Sequence, residues 1–115
     1  MAELTGDQRA QLTALRQAYA AELPEKVQMI ARAAAAAGLH NWEADGVRQL
    51  HQLVHRLAGS AAIWGFIEVS RAANELEAIV LNAMEATPVG AEGLSSVLPR
   101  LVDELCNAVP AARHP

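Results

Sequence analysis

A single cysteine, Cys106, stands in 115 residues. No internal disulfide can form, and a lone thiol fits a reducing compartment. Aromatic residues are scarce: Tyr19, Trp42, Trp64 and Phe66 are the whole set. No segment sustains the alternation rich in valine, isoleucine and threonine that marks a strand, so β structure is not expected. Apolar runs stay well short of the roughly 18 or more residues that a membrane span needs. The opening "MAELTGDQRAQ" lacks the basic-then-apolar layout of a secretory signal. An excess of positive charge is missing too, the net charge being -4, which argues against nucleic acid, whose binders want a basic face. The expectation is a cytoplasmic protein with neither nucleic acid nor membrane as partner.

What the chain does have is alanine and leucine, within a hydrophobic content of 52%. That composition favours helices, and the length suits one domain spanning 1–115 with its core at about 6–109. Thr5 and Gln8 have the spacing of a capping box, which opens a first helix at about residue 6. Pro24 disfavours helix at Leu23 and suits the first position of a new one, so a break is expected there. The second helix then runs through Val27 and Ile30 to a stop at Gly38. Asn41 or Asp45 can cap the third.

In that third helix Val47, Leu50, Val54, Leu57 and Ala61 recur at intervals of 3, 4, 3 and 4, the seam of a helix packed among others. It should end near Gly65. Phe66, Val69, Ala73, Leu76, Val80 and Ala83 mark one face of a fourth helix. "TPVG", Thr87 to Gly90, is a turn signal. Leu94, Leu98, Leu101 and Leu105 mark a fifth helix, in which Pro99 implies a kink or a later start. The tail "AVPAARHP" should fray. The fold class expected is all-α: an antiparallel four-helix bundle with an additional N-terminal helix as a lid.

Advancing about 100° per residue from Val54 puts His55 on the flank of the third helix's apolar stripe. His51 lies one turn earlier on that flank, nearer the core. Ala58 and Gly59 follow one turn later and add almost no bulk, so the flank is open to a protein surface. His51 and His55 have the i, i+4 spacing of some zinc sites, but two ligands fall short of the usual three or four. Ser60 falls on another face, too far round to pair with His55 as a hydrolytic nucleophile. A phosphoryl carrier fits better, because imidazole, with an unperturbed pKa of about 6.5, is largely neutral near pH 7. If the chain turns back at Gly65, His55 lies 10 residues before the turn and Glu77 lies 12 after it. Those similar distances make Glu77 the candidate acceptor for the other ring nitrogen.

"HRLAGSAAIWG" followed by "RAANELE" resembles the histidine-containing phosphotransfer (HPt) domain family, and the likeness extends over nearly the whole chain. The resemblance implies that His55 accepts the phosphoryl group, that Gly59 clears space for an incoming active site, and that Gly65 closes the helix. It also implies that Glu77 hydrogen-bonds the imidazole. Where the family usually has lysine, this chain has Ala58. Arg56 and Arg48 are the candidate substitutes, though an arginine fork differs from a lysine point charge. The implied partners are a response-regulator receiver domain and a histidine kinase. Catalytic magnesium is expected on the receiver, with no cofactor on this chain. Ala58, Ala62 and, with them, Ile63 are expected to form the docking surface of a monomeric carrier without turnover of its own, while Trp64 at the helix end is expected rather to pack in the core. The alternative is a docking module that binds a receiver or kinase without carrying phosphate.

Overall fold

The computed structural model describes residues 3–40, 42–85 and 90–110, and these are helical apart from short connections. Four α-helices follow one another: α1 (Gly6–Leu39), α2 (Ala44–Ile63), α3 (Ile67–Glu85) and α4 (Gly90–Ala108). α1 packs on α2 and α4, and α3 packs on the same two helices, so the four form a ring. Tyr19 meets Ser60 while Ala37 meets Gly46, which runs α2 back along α1. Of the "TPVG" turn only Gly90, which opens α4, is described; of the tail, Ala108 ends α4 and Val109 packs partly buried against the core, while residues 111–115 lie outside the described residues.

The expected break at Pro24 is corrected: α1 is one helix of 34 residues with Pro24 inside it. An internal proline costs about 3 kcal/mol and removes one backbone hydrogen bond. Pro24 is on the exposed side, whereas Leu23 and Val27 on either side of it are 0% and 2% exposed. Burial of those two side chains and their neighbours holds the segment helical against the proline's preference. The separate lid helix therefore does not exist. Residues 3–18 are all exposed, including Leu12 and Leu15, and burial on α1 begins at Tyr19. The capping box at Thr5 and Gln8 is formed in both directions, at 3.1 and 2.9 Å.

The start of α2 also departs from expectation. Its N-cap is Glu43, with no side-chain cap; Asp45 falls inside the helix, and Asn41 lies outside the described residues. Gly38 does not stop α1, which continues to Leu39. Its lack of a side chain instead makes room for the Trp42 indole, which would lie 3.3 Å from an added Cβ. That indole donates to Ser95 Oγ at 2.9 Å, tying the connection to α4. The turn between α2 and α3 matches expectation. Gly65 has φ +80, and the Gly65 N–H to Ala62 and Phe66 N–H to Ala61 bonds, at 3.1 and 2.8 Å, close a Schellman motif.

The apolar stripes meet at the centre of the ring. Val47, Leu50, Val54, Leu57 and Ala61 from α2 are buried with Val69, Ala73, Leu76 and Val80 from α3 and Leu94, Leu98, Leu101 and Leu105 from α4. Pro99 does not delay α4, which runs through it. At the open end of the ring Tyr19 stacks on Trp64 at 6.0 Å between centroids and lies against Phe66. Arg16 donates to the Trp64 carbonyl at 2.9 Å and covers the Phe66 ring at 4.2 Å. These contacts fix the hairpin turn that sets α2 against α3.

Candidate functional site

Because α2 and α3 are antiparallel about a tight turn, residues equidistant from Gly65 face one another. His55 Nδ1 donates to Glu77 Oε2 at 2.6 Å. A carboxylate oxygen only accepts, so the proton sits on Nδ1 and the neutral ring leaves its lone pair on Nε2. The His55 side chain is 68% exposed, while that of Glu77 is 19% exposed. The arrangement is a nucleophilic nitrogen turned to solvent on a ring whose other side is held by a largely enclosed carboxylate.

The flank around that nitrogen is low. Gly59 is one turn on, and a Cβ placed there would meet nothing within 4 Å. Ala62 is exposed, and Ile63 is 80% exposed. Trp64 instead packs against Tyr19 as part of the turn. Ser60 bonds to the Tyr19 hydroxyl at 2.5 Å, facing α1 and not His55.

Ala58 is corrected: it is 5% exposed and forms no part of the outer flank. Three residues after His55 the helix has turned back to about 40° from Val54, onto the side covered by α3. Ser70 Oγ, buried on α3, donates to the Ala58 carbonyl at 3.0 Å in the same seam. The two arginines point elsewhere. Arg48 pairs with Asp45 at 3.0 Å, and Arg56 lines a groove between α1 and α2 with Lys26 and Met29.

His51 is brought into the site more closely than its spacing alone indicated. Its Nε2 lies 3.3 Å from Glu77 Oε2, the oxygen that also holds His55. The two imidazoles stack at 5.8 Å between centroids. Among the described residues, no group of three or more His, Cys, Asp or Glu is arranged to hold a metal ion. No described helix is long and apolar enough to cross a membrane.

The site is thus an exposed histidine on a helical bundle, its tautomer fixed by Glu77 and its flank lowered by a glycine. Compared with known families, the chain matches the Hpt domain over residues 14–112, and it belongs to that family. Membership implies histidine phosphotransfer in two-component systems, with receiver domains and kinases as the interacting class. No curated protein and no solved structure gives a significant match.

Proposed function

We propose that this chain is a phosphorelay intermediate that takes and gives a phosphoryl group on His55, exchanging it with receiver-domain aspartates. The carrying observation is the exposed His55 ring with Nδ1 held at 2.6 Å by Glu77. The Nε2 lone pair attacks the phosphorus of a receiver's aspartyl phosphate. The bond from phosphorus to the aspartate oxygen breaks, and its electron pair stays on that oxygen. The product ring bears phosphorus on Nε2 and hydrogen on Nδ1, a cation that faces the Glu77 carboxylate. No proton need leave the ring, and transfer in the reverse direction follows the same path.

The receiver brings the magnesium. This chain supplies the nucleophile, its tautomer and a docking surface of Gly59, Ala62 and Ile63, so it turns over nothing by itself. The scaffold is an antiparallel four-helix bundle without a separate lid, acting in the cytoplasm where receivers and kinases meet it. Incubation with a phosphorylated receiver should label the chain with acid-labile phosphate, and His55→Gln should abolish the label. A label that survives the substitution overturns the assignment.

A second reading is favoured by one feature, the methyl of Ala58 in the α2–α3 seam where the family usually has a lysine. A module that only docks would keep receiver binding and cellular phenotype in His55→Ala. A phosphorelay carrier would keep binding and lose the phenotype.

A further inference from the structure

His51 is the one polar group at this site that the transfer chemistry leaves without a task. Its Nε2 is shut off from solvent and has no aligned hydrogen-bond partner. The nearest ion-pair partner is Glu77 Oε2, at 3.3 Å. At 3.3 Å a lone pair on this nitrogen would be repelled by the carboxylate oxygen, so the contact favours a proton on Nε2, although the N–H is not aligned for a hydrogen bond. A carboxylate oxygen has two acceptor directions, and His55 uses one of them. Glu77 Oε2 therefore lies against two imidazoles, hydrogen-bonded to His55 and in electrostatic contact with His51, one helical turn apart on α2, whose rings stack with only 16° between planes.

We infer that His51 is a positioning residue: it holds the Glu77 carboxylate in the rotamer that keeps the proton of His55 on Nδ1. The inference deepens the phosphorelay reading and rests on it for its kinetic consequence. Glutamate has three side-chain torsions, and a single contact to an exposed ring leaves it free to swing towards water. A second contact from a ring that is 21% exposed, packed at the helix interface, restricts that swing. With Glu77 held, Nε2 of His55 stays unprotonated and available. With Glu77 loose, the ring can adopt the other tautomer, which has its proton where phosphorus must bind. His51 touches no phosphoryl group and acts only through Glu77.

The test compares His51→Leu, which removes the nitrogen, with His51→Gln, whose amide can still donate to Glu77. Nitrogen-15 spectra of the His55 ring should show the Nδ1–H tautomer in the parent protein and in H51Q. In H51L they should show a mixture. Transfer from a phosphorylated receiver should slow about threefold in H51L, the low end of what one hydrogen bond is worth because this contact is not aligned as one, with receiver affinity unchanged. In H51Q the rate should match that of the parent protein, because an N–H donor is kept beside Glu77 Oε2. An unchanged His55 tautomer in H51L overturns the inference, as does equal behaviour of the two variants. If H51L fails to fold, His51→Ala removes the same nitrogen and is read in the same way. Should the parent protein accept no phosphoryl group, the phosphorelay reading falls, and the ring spectra alone still decide the role of His51.

Discussion

Gly59 and His55 illustrate how much of this site is set by what a residue leaves out. The glycine is in regular helix, where it costs roughly 0.5–1 kcal/mol against alanine. Nothing within 4 Å of its missing Cβ requires that choice for packing. Gly59→Ala is therefore expected to raise the thermal midpoint by a few degrees, the shift that about 0.5–1 kcal/mol gives a domain of this size. Gly59→Trp should leave far-UV circular dichroism intact and suppress labelling by a phosphorylated receiver. Labelling of His55 by a small phosphoramidate should persist, because only a protein-sized donor needs the cleared flank. Equal loss with both donors would show that Gly59 matters for something other than access. Ala58 makes the converse point: a residue three positions from a surface histidine is turned far enough to be buried.

At the scale of the element, α1 carries two different segments in one continuous helix. From Tyr19 onward its residues at helical spacing enter the core, and Arg16 reaches back to the α2–α3 turn. Before that its residues are exposed, and Leu12 and Leu15 remain 43% and 54% accessible despite their helical spacing with Tyr19. At about 1.5 Å per residue the 34 residues of α1 extend about 51 Å, against about 30 Å for the 20 residues of α2, so α1 overhangs the ring. Shortening the chain to begin at residue 14 is expected to change unfolding free energy by less than about 0.5 kcal/mol, since no buried side chain among the described residues is lost. Urea denaturation measures this directly. A loss comparable to that of a core substitution would mean that the overhang is held by contacts of its own.

At the scale of the whole molecule the site depends on the core behind it. Leu76 is 0% exposed and immediately precedes Glu77, so the packing of α3 in the ring sets where the carboxylate stands. Leu76→Ala should cost about 2–5 kcal/mol in chemical denaturation. Where the variant still folds, the His55 ring spectrum should broaden towards mixed tautomers. A fully stable Leu76→Ala variant would contradict the central place given to this side chain. By contrast, the site itself contributes little bulk: a histidine, a carboxylate, a glycine and small side chains laid over a leucine-rich interior.

The sequence by itself determined the helical class, the stripes of α2, α3 and α4, the turn at Gly65 and the pairing of His55 with Glu77. Each is a local or near-local matter: periodicity selects the buried face, a glycine with positive φ ends the helix, and a short antiparallel hairpin aligns residues at matching distances from its turn. Tertiary structure decided the rest. Pro24 carries a strong local signal for a break, and only the burial of Leu23 and Val27 against other helices outweighs it. Leu12 and Leu15 have the same spacing as core residues, and only the length of the partner helices leaves them outside. The closeness of His51 to Glu77 was not legible either, because helical spacing puts His51 and His55 on one flank without saying which oxygen they approach. That depends on how closely α3 approaches α2, a distance set by the side chains packed between them.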